Sequence, residues 1–166
     1  MNVKNLEYPF DYYLNYLLKK KVSKEQFKKF SKEVFKIINL LKKEKIKKIR
    51  SKILGNIIIP KEDNGKKKNF YDLFAFHELS LFAKYIQLKK NFGLALDVGA
   101  NLGLHTIVLS RLGYKVKSFE ADPDTFEKLK KNLKSNMCKN YTLYKFAISN
   151  FSGKSKFYQV KDNLTA

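Results

Sequence analysis

The chain has 166 residues, a formal net charge of +20 and a hydrophobic content of 44%. This hydrophobic content is ordinary for a globular protein, so the composition excludes a chain that is disordered throughout. Lysine supplies nearly all of the positive charge, because Arg50 and Arg111 are the only arginines. Nucleic-acid readers favour arginine, whose planar fork binds phosphate and guanine in a bidentate way. The charge therefore indicates a lysine-rich composition rather than a specific nucleic-acid site, with weak attraction to anionic surfaces.

The cysteine content and the lengths of the apolar runs indicate where in the cell the protein is expected. Cys138 is the only cysteine, so no disulfide forms within the chain, and the cytoplasm is the expected location. The N-terminus carries Glu7 and Asp11 and lacks the basic start and apolar core of a signal peptide. No apolar run approaches the length of a membrane-spanning helix. No histidines or carboxylates have the spacing of metal ligands, so we predict no metal site.

Residues 1–60 are predicted to form a basic, helical N-terminal segment. Ser23 and Gln26 match a capping box, in which each side chain accepts from a free backbone N–H of the other residue. Apolar residues follow at steps of three and four, and lysines cover the rest of the surface. A helix packed on the next domain explains this pattern best; a basic helix resting on an anionic membrane or another subunit is the alternative. The apolar stripe comprises Phe27, Phe30, Val34, Ile37, Ile38 and Leu41.

Residues 61–166 are predicted to be the N-terminal half of an α/β domain. A short strand over residues 57–59 and a turn at Asn64-Gly65 precede a helix over residues 72–88. A βαβαβ pattern follows. Its first strand, Leu94–Val98, is nearly all apolar, which is typical of a central parallel strand covered on both faces. The remaining elements are a helix over 102–112, strand Lys115–Phe119, a helix capped by Asp122, a strand over 141–147 and a final strand over 154–160.

The turn after the first strand carries the chemistry. Asp97 ends the strand, and Gly99, Asn101 and Gly103 follow at alternating positions. Glycine and asparagine are the residues that most readily adopt the left-handed conformations of a tight strand-to-helix turn. This pattern of an acid and alternating small residues is typical of S-adenosylmethionine sites. A dinucleotide site of an NAD-linked oxidoreductase is disfavoured, because it needs a glycine where Leu104 stands.

Two acids complete the predicted cofactor site. Asp97 is placed to pair with the cationic amino-acid end of the cofactor, whereas a pyrophosphate at this point would be repelled. Glu120 ends the second strand and is placed to accept hydrogen bonds from both ribose hydroxyls. His105 lies in the first turn of the next helix, where a role in packing or hydrogen bonding near the cofactor is favoured over that of a general base. His77 and Glu78 lie on the helix before the first strand and could flank the mouth of the pocket, but a surface pair is favoured.

Three sequence blocks resemble the FkbM-type S-adenosylmethionine-dependent methyltransferases. These are the DVGAN turn, the F-E-x-D-P segment after the second strand and the A-x-S…G segment after the third. The resemblance covers residues 70–166 and implies a Rossmann-like class I methyltransferase fold. It also implies O-methylation of a sugar, a polysaccharide precursor or a small metabolite. The cofactor-binding residues that it implies are Asp97, Gly99, Ala100, Asn101, Gly103, Glu120 and, at the adenine, Ala147 and Ile148.

The same resemblance implies that part of the domain is missing. Family members continue through further strands beside the first one and through an acidic segment that helps to form the acceptor site. The final residues, DNLTA, look like the start of the next family block. We therefore expect a fragment with strand order 3-2-1 and a trailing hairpin strand, weak or inactive alone, whose exposed sheet edge a homo-oligomer could cover. The alternative function is a non-catalytic nucleotide- or RNA-binding remnant that binds through its basic charge.

Overall fold

The computed structural model describes residues 7–59 and 70–156. This part of the chain forms helices and short strands. The helices are α1 (Asp11–Lys19), α2 (Lys24–Lys43), a 3₁₀ helix (Phe70–Phe74), α3 (Phe76–Leu88), α4 (Leu104–Arg111) and α5 (Pro123–Ser135). The strands are β1 (Lys48–Ile49), β2 (Ile57–Ile58), β3 (Leu94–Val98), β4 (Lys115–Phe119) and β5 (Tyr141–Tyr144).

Strands β3, β4 and β5 form a parallel sheet in that order. Helix α4 connects β3 to β4, and helix α5 connects β4 to β5, as parallel neighbours require. This βαβαβ unit confirms the predicted α/β, Rossmann-like fold and its strand order. Among the described residues β3 pairs with β4 alone, so its other edge makes no backbone ladder.

Among the described residues, helices cover only one face of this sheet. Val116 and Ser118 of β4 point to the covered face and are buried. Leu94, Leu96 and Val98 point to the other face and are 54%, 62% and 59% exposed. The prediction that β3 is covered on both faces is therefore wrong for the described residues. An apolar strand shows that its side chains are suited to burial, but it does not show that a neighbour is present.

Several element boundaries differ from those predicted. The helix predicted over residues 72–88 begins as a 3₁₀ helix, and α3 itself starts at Phe76. Helix α4 starts at Leu104 instead of residue 102, because Asn101 and Gly103 have positive φ angles that a right-handed helix cannot contain. Strand β5 ends at Tyr144 instead of residue 147. Residues 154–156 form no strand, and residues 157–160 and the predicted Asn64-Gly65 turn lie outside the described residues.

The N-terminal helices belong to the main hydrophobic core. The capping box of Ser23 and Gln26 forms as predicted at the start of α2. Five residues of the predicted stripe are buried, while Phe27 is 42% exposed and keeps an edge contact with Phe76. The stripe therefore packs inside the protein and is not presented to a membrane. The buried five are Phe30, Val34, Ile37, Ile38 and Leu41.

Contacts between distant segments fix the N-terminal part to the sheet unit. The Phe10 and Phe74 rings stack with their centroids 5.1 Å apart. The backbone N–H of Ile58 donates to Asn136 Oδ1 at 2.8 Å, so β2 is hydrogen-bonded to the C-cap residue of α5. Strand β1, which the sequence does not predict, pairs with β2. The domain boundary near residue 60 stays a prediction.

In the described ranges, no helix has both the length and the apolar character needed to span a bilayer.

Candidate functional site

The turn between β3 and α4 has the backbone geometry that its residue types suggest. Gly99, Asn101 and Gly103 adopt φ angles of 74°, 49° and 89°, all in the left-handed region. The backbone N–H groups of Gly99 and Ala100 both donate to the carbonyl oxygen of Phe119 at 2.9 Å. The turn is thus anchored to the end of β4 and lies at the carboxyl edge of the sheet, where ligands bind in open α/β sheets.

The two glycines of the turn face different surroundings. A Cβ built on Gly99 would have no heavy atom within 4 Å, so the space above this residue is open. A Cβ on Gly103 would lie 2.4 Å from Leu129 Cδ1 of α5. Gly103 therefore allows α4 and α5 to pack closely, and Gly99 leaves room for a ligand to approach the backbone. Ala100 between them is buried.

Glu120 holds both the turn and the start of α5. Its Oε2 accepts from the Asn101 backbone N–H at 2.8 Å, and its Oε1 accepts from the Asp122 N–H at 2.9 Å. A carboxylate has about four lone-pair sites, so two hydrogen bonds leave capacity for further donors such as vicinal hydroxyls. Glu120 is thus rigidly placed at the tip of β4, beside the open turn.

Asp97 is oriented by a buried hydroxyl pair. Thr106 Oγ1 donates to Asp97 Oδ2 at 2.5 Å and lies 2.8 Å from Ser118 Oγ. Thr106 and Ser118 are fully buried, while Asp97 is partly exposed. The Asp97 carboxylate is therefore fixed from inside the protein and keeps an accessible side. A fixed, half-buried carboxylate at a strand end suits a cationic ligand group.

Ala147 and Ile148 follow β5 and are exposed. They lie close in sequence to an aromatic group at the carboxyl edge of the sheet. In this group Phe119 stacks on Tyr144 with centroids 4.8 Å apart, and the Phe146 ring lies 5.6 Å from both. The segment that holds Ala147 and Ile148 thus leaves the sheet at the edge where Glu120 stands. A ligand contact by either residue stays a prediction.

His105, Tyr85 and Glu78 form a connected chain beside Asp97. His105 Nδ1 lies 2.9 Å from the Tyr85 hydroxyl, and its Nε2 lies 3.0 Å from Glu78 Oε2. His77 is mostly exposed and contacts Glu78 Oε1 at 3.2 Å. Of the expected surface pair, only His77 lies at the surface, because the Glu78 side chain is 19% exposed and reaches inward to His105.

Burial is the main reason that the pKa of Tyr85 is raised to about 12, and the carboxylates of Asp97 and Glu78 raise it further. Cys138 shows the same effect of burial, which raises the pKa of its thiol and thus disfavours the reactive thiolate. Tyr85 therefore stays a neutral phenol, and Cys138 is poorly suited to act as a nucleophile.

Sequence reasoning missed four residues of this site: Glu78, as an inward-facing group, Tyr85, Thr106 and Ser118. Thr106 gave a weak signal, since it is a polar residue between apolar ones in α4 and lies nine positions after Asp97. The Tyr85–His105 and Thr106–Ser118 contacts join residues 20 and 12 positions apart on different elements, which periodicity does not predict. In the described part of the chain, no three or more His, Cys, Asp or Glu residues are grouped to hold a metal ion.

The arrangement fits a nucleoside with a cationic tail better than a dinucleotide. Glu120 can accept from ribose hydroxyls, Gly99 gives access to the backbone and Asp97 offers negative charge at the other side of the turn. A phosphate beside Asp97 would be repelled. These features fit S-adenosylmethionine, whose sulfonium and ammonium groups are positively charged.

Comparison with known proteins adds the following findings. No protein-family model and no curated protein matches the chain. Solved structures with similar folds include the Pyrococcus abyssi tRNA (uracil-54, C5)-methyltransferase in complex with S-adenosyl-L-homocysteine, at 20% identity and a TM-score of 0.38. A SAM-dependent methyltransferase from Agrobacterium tumefaciens matches at 12% identity and 0.38. A Pyrococcus horikoshii protein with a provisional transferase name matches at 16% identity and 0.40.

The three alignments cover 59%, 58% and 74% of this chain. They cover 24%, 38% and 50% of the solved chains, so this chain spans at most half the length of each. A function for this chain therefore has to be inferred from the geometry of its own site.

Proposed function

We propose that this chain carries the cofactor-binding half of an S-adenosylmethionine-dependent methyltransferase of the FkbM type. The observation that carries the proposal is the turn at the end of β3. There Gly99 opens the backbone to a ligand, and two fixed carboxylates, Asp97 and Glu120, stand at neighbouring strand ends. The three sequence blocks that resemble the FkbM family support the same assignment.

Each residue has a defined part in this proposal. Asp97, held by Thr106, binds the ammonium group, and Glu120 accepts from the ribose hydroxyls. The turn residues Gly99, Ala100, Asn101 and Gly103 shape the approach to the backbone, and Ala147 and Ile148 meet the adenine. Bound S-adenosylmethionine supplies a methyl group that its sulfonium makes electrophilic, so the protein contributes mainly orientation. The acceptor is a hydroxyl of a sugar, a polysaccharide precursor or a small metabolite, by resemblance to the family.

We also propose that the described part of the chain is a poor catalyst alone. The support is structural: among the described residues β3 pairs with β4 alone, and its outer face leaves Leu94, Leu96 and Val98 exposed. No described strand pairs with that edge of β3. Further polypeptide or a second copy would have to complete the site.

A cytoplasmic location accords with the single cysteine.

Titration calorimetry with S-adenosylmethionine and S-adenosylhomocysteine tests the cofactor. We expect Asp97→Asn and Glu120→Gln each to weaken binding roughly tenfold or more, because each removes a charge-assisted hydrogen bond. Asp124→Asn, which alters an acid at the start of α5 outside the turn, is the matched control and should bind as the wild type does. Equal binding by all four proteins would contradict the assignment.

Salt dependence separates this function from the RNA- or nucleotide-binding alternative. Adenosyl-sulfonium binding should change little with moderate salt, whereas polyanion binding through lysines falls steeply because counterions are released. Steep salt dependence with an RNA oligonucleotide, together with no adenosyl-ligand binding at low salt, would favour the alternative.

A further inference from the structure

The chain Glu78–His105–Tyr85 is built by two helices that pack beside β3. Glu78 and Tyr85 are seven positions apart on α3, so they lie two turns apart on one side of the helix. His105, the second residue of α4, lies between them with both ring nitrogens in contact, at 3.0 Å from Glu78 Oε2 and 2.9 Å from the Tyr85 hydroxyl. An imidazole held at both nitrogens has a fixed orientation.

The contacts determine where the hydrogens lie. Glu78 Oε2 is buried, and His105 Nε2 lies 3.0 Å from it. A carboxylate only accepts, which places the hydrogen of a neutral imidazole on Nε2. Nδ1 is then an acceptor, and the Tyr85 hydroxyl donates to it. The lone pairs of the Tyr85 oxygen are thereby left to accept from a ligand.

Tyr85 and Asp97 share a cavity between α3 and β3. The cavity has a volume of about 240 Å³, and apolar side chains form most of the remaining wall. The negative charge of Asp97 is felt by Tyr85, since it helps to raise the pKa of that phenol. Tyr85 and Asp97 thus line one largely apolar space, the first with a phenol and the second with a carboxyl group.

We propose that Tyr85, positioned by Glu78 and His105, is a second acceptor for the ammonium group of the cofactor, beside Asp97. This inference rests on the proposed function and deepens it. An ammonium group has three N–H donors, and Asp97 Oδ2 already accepts from Thr106, so a second acceptor beside Asp97 would complete its hydrogen bonds. The His105 ring, whose two nitrogens are taken, acts through Tyr85 and is a positioning residue.

Two ligands that differ only in the amino-acid tail provide the test. S-adenosylhomocysteine carries the ammonium group, and 5′-methylthioadenosine keeps the nucleoside and the thioether without it. Affinities of both ligands are measured by calorimetry on the full chain. Tyr85→Phe keeps the ring that packs against Phe82 and removes the acceptor. We expect S-adenosylhomocysteine affinity to fall roughly tenfold and methylthioadenosine affinity to stay unchanged.

Glu78→Gln tests the positioning chain with a side chain of nearly the same shape. It should lower the affinity for S-adenosylhomocysteine by a smaller factor and leave methylthioadenosine unaffected, because the tautomer of His105 is then less strongly fixed. A purely structural role for these residues would weaken both ligands equally and would overturn the inference.

Unchanged affinity of Tyr85→Phe for both ligands would overturn it as well. A wild-type chain that binds neither ligand would remove the proposed function itself and the inference with it. If the wild type binds both ligands and its variants show no selective loss, the proposed function stands and only the inference is overturned. The leading experiment therefore separates the two failures.

Discussion

Gly99 and Gly103 both have left-handed backbones, but only Gly103 also packs against another helix. An L-residue in the left-handed region costs about 1–2 kcal/mol. Alanine at position 103 adds the clash with Leu129, a fully buried side chain with little room to move. Overpacking of this kind costs about 1–3 kcal/mol. The same substitution therefore has unequal consequences at two positions of one turn.

We predict that Gly103→Ala lowers the free energy of unfolding more than Gly99→Ala, by about 1–3 kcal/mol. Gly99→Ala should instead act mainly on ligand affinity, because its methyl group enters the open space above the turn. Urea denaturation of the two variants and the wild type measures the first effect, and calorimetry measures the second. Equal unfolding free energies for the two variants would show that α5 does not constrain position 103.

The hydroxyl group of Thr106 is a second single group on which the geometry of the site depends, because it orients Asp97. Thr106→Val keeps the shape and removes the hydroxyl that bonds Asp97 and Ser118. Leaving a buried polar partner unsatisfied costs about 1–3 kcal/mol, so we expect a loss of stability of that size. Thr142→Val, at an exposed position of β5, is the control and should be nearly neutral. Thermal unfolding that gives the same midpoint for both variants would contradict this role.

The residue identities of the turn predict its conformation, because few residue types tolerate positive φ. They do not predict the groups that hold Asp97 or His105. The contact of Tyr85 with His105 and the contact of Thr106 with Ser118 each depend on how helices pack on the sheet. Such contacts arise from tertiary geometry, to which sequence spacing gives no direct access.

Helix α5 is the element whose start the sequence predicts best. Asp122 accepts from the Thr125 backbone N–H at 2.7 Å, and Pro123 occupies the first turn. By contrast, α4 begins without a side-chain cap after Gly103, so a helix period alone places its start two residues early. Element ends are predictable where a capping side chain marks them and uncertain where backbone conformation decides.

We predict that Asp122→Ala destabilises the protein by about 0.5–2 kcal/mol through loss of the N-cap. Asp124→Ala removes only a favourable charge near the helix start, and we expect it to cost about 0.3–1 kcal/mol. High salt should reduce the effect of Asp124→Ala and leave most of the effect of Asp122→Ala, because a hydrogen bond is screened less than a surface charge. Guanidinium is itself a salt, so urea denaturation is the measurement. An Asp122→Ala effect that salt abolishes would argue against capping.

Among the described residues, no helix covers the outer face of β3, which is apolar. The sequence of β3 predicts burial on both sides, yet the described residues provide a neighbour on one side only. An apolar face and an open strand edge favour association with another chain. The net charge of +20 opposes association of like chains. Which effect prevails depends on how strongly the charge is screened.

We therefore predict that self-association increases with salt. Raising the salt from about 0.05 to about 0.5 M shortens the screening length several-fold and weakens the repulsion between lysine-rich surfaces, while the apolar attraction remains. Sedimentation velocity should show a shift from monomer toward dimer over this range. Leu96→Thr, at the centre of the exposed face, should suppress the shift because it removes apolar area from β3 and keeps a side chain suited to strands. Leu81→Thr removes a 44% exposed leucine from helix α3 and should leave the shift intact. An equal effect of the two substitutions would show that general hydrophobicity, and not the face of β3, drives the association.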